Sequence, residues 1–287
     1  MTALHAIREP SRYVKTRRIR FRFAESAPLQ KHYVDNDIAM SHLVSLLSAS
    51  FPAGEEAFIR AVQHFADRLT DPALKQQVKG FVGQEMTHGR EHRNLNETLA
   101  AMGYPTKIVD ELLKNLEWLA KLVPPLLPLA LTAAAEHGTA TLAEQVLDSP
   151  EVQAMATDDE TLNLLNWHAL EELEHKAVAF DVYRSVGGGE ALRIGSAVAL
   201  AAVAVAAALA ATALSILGDP YTRRHPVKTT RSVVNLRKNP LFKGIPRTLV
   251  QYVRPGFHPN DIDTDELLAQ WQQELFGPGG HLVDHLK

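Results

Sequence analysis

The chain has no cysteine among its 287 residues, which excludes disulfides, thiolate metal sites and cysteine nucleophiles together. It also lacks a dominant charge: 30 Lys and Arg against 33 Asp and Glu leave a net charge of −3, which gives no reason to expect a nucleic-acid partner. The N-terminal stretch Met1 to Phe23 lacks the apolar core of a secretory signal and is basic and polar, with Arg17-Arg18-Ile19-Arg20 inside it. The expected location is therefore cytoplasmic. Few segments alternate apolar and polar residues with period two, so a β-rich architecture finds no support. With 46% hydrophobic residues the chain can build a sizeable core, and the expected class is all-α.

What stands out is a duplicated pattern of Glu and His. Glu85-Met86-Thr87-His88 and Glu172-Leu173-Glu174-His175 are two Glu-x-x-His signatures, with Glu55 ahead of the first and Glu136 ahead of the second. Residues three apart share a helix face, so each signature aims a carboxylate and an imidazole at one point. A Glu from each of two helices plus Glu-x-x-His from each of two others is the ligand set of carboxylate-bridged di-iron and di-manganese bundles.

Spacing supports the pattern. Asp71 is placed to cap a helix that Pro72 opens, and Pro52 is expected near the start of the helix bearing Glu55. Glu55 lies sixteen residues before Asp71 and Glu85 fourteen after it. In an antiparallel hairpin the two carboxylates would reach nearly the same height. Glu136 and Glu172 level out in the same way about the turns at Asp148 and Asp159. His168 extends the second stripe at i, i+4, i+7 with Glu172 and His175, and is expected to be a seventh ligand. His92 extends the first stripe and is expected to support a ligand rather than be one. Asp181 is a further candidate for that outer role. His137, Glu171 and Glu174 are expected to point away from the stripe, the two glutamates into solvent. His258 is expected to pack or lie at the surface.

The pattern Glu55, Glu85-x-x-His88, Glu136, His168-x-x-x-Glu172-x-x-His175 resembles the seven-ligand site of p-aminobenzoate N-oxygenase-type di-iron enzymes. Longer stretches resemble a bacterial family carried under the name predicted metal-dependent hydrolase. They include Phe51-Pro52-Ala53-Gly54-Glu55, Gln84-Glu85-Met86-Thr87-His88, Glu136-His137-Gly138-Thr139-Ala140, Trp167 to Lys176, and Arg254-Pro255-Gly256-Phe257-His258-Pro259. The first likeness is confined to the ligand pattern; the second spans most of the chain. Together they imply a ferritin-like helical bundle and a metal-dependent enzyme.

Four carboxylates with two or three imidazoles suit iron or manganese. Two Fe ions are the expected cofactor, with Mn or a mixed pair as the alternative, and Glu85 and Glu172 as the bridging carboxylates. The expected function is a non-haem di-iron oxidase or oxygenase using O2 on a small, apolar substrate, served by an electron donor. The alternative is a hydrolase whose metal pair activates water, and a third reading is non-enzymatic iron binding.

The expected organisation is an N-terminal arm over 1–36 and a four-helix di-metal core over 37–189, followed by an Ala-rich helix over 190–218 and a basic, Pro-interrupted segment over 219–287. Within the core, helices are expected near 38–69, 73–102, 125–147 and 159–185, with another near 107–121. A short strand or a segment laid over the bundle is expected at Ile19 to Phe23, and a last helix near Thr264 to Phe276. Residues 194–217 carry no charge across 24 positions, and 220–260 carry nine Lys or Arg and no Asp or Glu. The leading expectation is a helix buried against the bundle or in a homodimer interface. The alternative is peripheral contact with the inner face of a membrane, and a single span comes last because alanine drives insertion weakly.

Overall fold

The computed structural model describes residues 14–24, 28–155 and 157–287; the first thirteen residues of the expected arm lie outside that range. The fold is an all-α helical bundle. α1 (Ile38–Gln63) starts where the Asp37 carboxylate accepts from the Met40 amide at 2.9 Å. It runs straight through Pro52 rather than starting there. α2 (Pro72–Ala101) opens as the spacing predicts, with Asp71 accepting from the Ala73 amide at 2.9 Å. Ser48 of α1 faces Asn96 of α2, and Pro52 faces Gly89, which is the register of an antiparallel pair. α3 (Thr106–Leu116) continues into a 3-10 turn and leads to α4 (Leu126–Asp148).

After the single turn of α5 (Pro150–Gln153), α6 (Asp159–His175) lies along α4. The expected helix over 159–185 is broken: α6 stops at His175 and α7 (Val178–Ser185) starts after a two-residue turn. α7 ends at Ser185, and past its Val186 cap the chain turns at Gly187, whose φ of +93° is open to glycine without strain.

α8 (Glu190–Gly218) is the Ala-rich helix. It is not buried against the bundle: among its residues only Arg193, Ser196, Thr212, Ser215 and Ile216 are buried. The basic segment winds back over α1 and α4 as α9 (Pro220–Arg224), α10 (Pro226–Leu236) and α11 (Ile245–Tyr252), and α12 (Asp265–Phe276) packs on α6.

The N-terminal arm forms no strand among the described residues. It makes one isolated antiparallel bridge, Ile19 with Leu286, and lies across α2 and α6. Gly80 and Gly83 let it lie close, because a Cβ at either position would collide with Val14 or Thr16. The core has two apolar clusters, one around Trp167, Leu170 and Leu95, the other around Phe81, Leu129 and Phe180.

Candidate metal centre

The two apolar clusters meet at a buried polar layer. The Trp167 ring of one cluster stands edge-on to His88 at 4.8 Å between centroids, and Phe81 of the other stands edge-on to His175 at 5.0 Å. Between them the structure gathers Glu55 from α1, Glu85 and His88 from α2, Glu136 from α4, and His168, Glu172 and His175 from α6, all buried. His175 Nε2 lies 3.1 Å from Glu85 Oε1 and 3.2 Å from Glu136 Oε2. His168 Nε2 lies 2.8 Å from Glu172 Oε1 and 3.7 Å from Glu55 Oε1. His88 Nδ1 stands between the two halves, 3.9 Å from Glu85 Oε1 and 3.8 Å from Glu172 Oε1.

These atoms form three overlapping triads, each with its ligand atoms within 4.8 Å of one another: Glu85, Glu136 and His175; Glu55, His88 and His168; and Glu85, His88 and Glu172. The first two sit at opposite ends, and the third joins them.

Every histidine of the seven has one nitrogen turned inward and the other held from outside. His88 Nε2 pairs with Glu171 Oε2 at 3.1 Å, His175 Nδ1 with Gln84 Oε1 at 2.9 Å, and His168 Nδ1 with His92 Nε2 at 2.7 Å. Such an outer partner fixes the ring's tautomer and leaves a lone pair facing the centre, as metal-bound histidines require. The supports are themselves supported. Ser48 Oγ pairs with His92 Nδ1 at 2.9 Å and donates to Asn96 Oδ1 at 2.8 Å. Arg17 donates to Glu171 at 2.8 Å and to both oxygens of Glu174, and Gln84 donates to Glu174 at 2.7 Å.

Sequence reasoning placed His92 in this outer layer, where it supports His168, but missed Gln84, Glu171, Glu174 and Arg17. Glu171 and Glu174 are buried rather than solvated, because the arm carries Arg17 over that face of α6. The alternation over Ile19 to Phe23 was the one available signal that a segment covers the bundle; it did not say which helix. Asp181 does not join the layer, since its carboxylate pairs with His258 Nε2 at 2.9 Å. His137 packs as expected, stacking on Tyr252 and pairing with the Thr248 carbonyl.

The inward atoms fit cations. Both oxygens of Glu55, Glu85 and Glu136, along with Glu172 Oε2, His88 Nδ1 and His175 Nε2, are buried and have no hydrogen-bond partner. Protein interiors rarely leave so many acceptors unsatisfied in one place. Burial, reinforced by neighbouring carboxylates, pushes Glu55 and Glu85 well above the usual range. Burial also raises Glu136 to about 7, despite His175 beside it. Burial acts on Glu172 as well, but His175 and His168 outweigh it and hold that carboxyl low. Four carboxylates crowded in this way need positive charge to stay ionised, and two divalent cations would supply it.

From the His168 and Glu172 end a cavity of about 120 Å³ extends between α1, α4 and α6. Val44, Leu47, Phe51, Leu142, Val146 and Leu165 are among its walls.

Compared with known proteins, a family model described as "Predicted metal-dependent hydrolase" matches residues 15–263. No curated protein and no solved structure matches.

Proposed function

We propose that this chain, which belongs to the predicted metal-dependent hydrolase family, holds two divalent cations and hydrolyses a small, largely apolar substrate. The observation that carries this reading is the set of three outward-anchored histidines facing four buried carboxylates. Glu55, His88 and His168 would hold one cation, Glu136 and His175 the other, with Glu85 and Glu172 between them. A cation pair bound there supplies a nucleophile at neutral pH by lowering the pKa of bound water.

The chain's own residues position and exclude. Glu171, Gln84 and His92 fix the three imidazoles, and Trp167, Phe81 and Phe51 close apolar walls around them. The cavity between α1, α4 and α6 would seat the apolar part of the substrate beside His168 and Glu172.

A second reading, an iron-dependent oxidase or oxygenase, is favoured by the same donor set, which suits iron. It is also favoured by the cavity's lining, which apart from Thr139, Thr157, His168 and Glu172 is apolar and offers few groups to orient a scissile carbonyl. The test is to load the metal-free chain anaerobically with Fe(II), Mn(II) or Zn(II) and follow two readouts. Cleavage across a panel of apolar esters and amides with Mn(II) or Zn(II) is the expected result. O2 consumption confined to the Fe(II) form, with no cleavage by any metal, would replace hydrolysis with the oxidative reading.

A further inference from the structure

α8 is about 43 Å long at the rise of an α-helix, and its most apolar 18-residue window has a mean hydropathy of 2.4 with 6% of residues buried. Residues 201–210, which include Val203, Val205 and Leu209, are all exposed. Val198, Leu214 and Leu217 extend the exposed apolar surface towards both ends. Ten consecutive apolar residues exposed to water are far more than the scattered apolar side chains of an ordinary surface.

Both ends of α8 are tied to the same body. At the N-terminal end the buried Arg193 guanidinium donates to the carbonyls of Tyr252 and Arg254 and to Glu190. At the C-terminal end Ser215 Oγ pairs with His42 Nδ1 of α1 at 2.7 Å. A helix held at both ends by one bundle lies along it and cannot cross a bilayer alone.

Charge surrounds this stretch. Arg223 donates to the Gly218 carbonyl at the helix end, and Arg224, Lys228 and Arg231 follow directly. At the other end Arg184 and Arg254 are exposed, while Glu190 pairs with Arg184 and with the buried Arg193. All nine Lys and Arg between 220 and 260 are exposed, with no carboxylate among them.

We propose that α8 is a lipid-facing helix that holds this chain on an anionic membrane surface, lying in the plane of the interface. An apolar helix flanked by exposed cations is what such a surface binds: the apolar face enters the acyl boundary while Lys and Arg meet the headgroups. A two-fold contact with a second copy fits less well. Both ends of α8 are cationic, so parallel and antiparallel pairing alike would bring like charges together.

The test is flotation of the full chain with vesicles of pure phosphatidylcholine, and of phosphatidylcholine with phosphatidylglycerol, at low and high salt. Binding at least tenfold tighter to the anionic vesicles, and weakened by salt, is expected. Val203→Asp with Leu209→Asp should abolish it, and Arg223→Glu with Lys228→Glu should weaken it tenfold or more. Metal content and far-UV circular dichroism should be unchanged in both pairs. Neither change touches the metal centre, so the outcome stands apart from the proposed hydrolysis. A chain that stays in the aqueous fraction with anionic vesicles at low salt overturns the proposal. So does a dimer, seen by sedimentation, that Val203→Asp with Leu209→Asp dissociates while vesicles bind neither form.

Discussion

Arg17 carries more consequence than its position in an irregular arm implies. Its guanidinium is the only cation paired with Glu171 and Glu174 among the described residues, and through them it steadies His88 and, by way of Gln84, His175. Removing one partner of a buried ion pair leaves the other charge uncompensated, at a cost of about 3–5 kcal/mol. Arg17→Met should therefore lower the unfolding free energy measured in urea by roughly that amount and weaken metal binding; a loss below about 1 kcal/mol would make the network incidental. Glu85→Ala and Glu172→Ala act at the centre itself. Each removes a carboxylate from the triad that joins the two ends, so metal content measured by plasma mass spectrometry should fall from the proposed two per chain towards one or none, with helicity retained. Two metals retained in both variants would rule out bridging by these residues. His168→Ala should keep most of its metal, since six donors remain, whereas His92→Ala should weaken affinity about ten- to a hundredfold, as losses behind a ligand do. The seven inward residues were legible because helical spacing fixes which side chains share a face. Behind them His92 was legible for the same reason, but Glu171 and Glu174 were not, because they follow the same spacing as solvated glutamates and only the covering arm buries them.

At the scale of elements, two contacts decide how the helices are held. The arm lies against α2 where Gly80 and Gly83 leave no side chain, and a Cβ at Gly80 would collide with Val14. Alanine would favour the helix itself by roughly 0.5–1 kcal/mol, yet it would lift the arm and with it Arg17. The expected result for Gly80→Ala is net destabilisation in chemical unfolding, and a gain in stability would show that the arm is free to shift. The second contact joins α1 to the end of α8 through His42, 2.7 Å from Ser215 and 3.4 Å from Asp219. Burial pushes His42 down to about 4 from 6.5, outweighing the attraction of Asp219. The folded state thus binds fewer protons than the unfolded one between those values, so the contribution is complete above about pH 6.5 and is lost as pH falls towards 4. Wild type should lose on the order of 2 kcal/mol more than His42→Gln between pH 7 and pH 4.5; equal losses would assign the acid sensitivity elsewhere. Helix starts at Asp37, Asp71 and Pro125 follow from caps and prolines readable in the chain. The break after His175 did not, since Lys176-Ala177 has no turn residue. There Lys176 Nζ reaches the Ile262 carbonyl and Thr264, partners some 86 and 88 residues away.

For the molecule as a whole, the proposed metal centre would also be a fold element, because α1, α2, α4 and α6 each contribute a buried carboxylate to it. Without cations Glu55, Glu85 and Glu136 are pushed towards taking up protons to remain buried, which costs stability; cations held there would bind the four helices to a common point. Ligands that bind only the folded chain stabilise it by RT ln(1 + [L]/Kd), about 2.7 kcal/mol when the metal is at a hundred times its dissociation constant. For a chain of this length that free energy corresponds to a shift of several degrees in the unfolding temperature. Exhaustive chelation should therefore lower the calorimetric midpoint by several degrees, and Fe(II) or Mn(II) added back should restore it. Glu85→Ala should respond less to both, because part of its site is already gone. An unfolding temperature indifferent to complete metal removal would mean that packing of the Trp167 and Phe81 clusters alone holds the four helices in register, and the seven inward residues would then answer to chemistry rather than to folding.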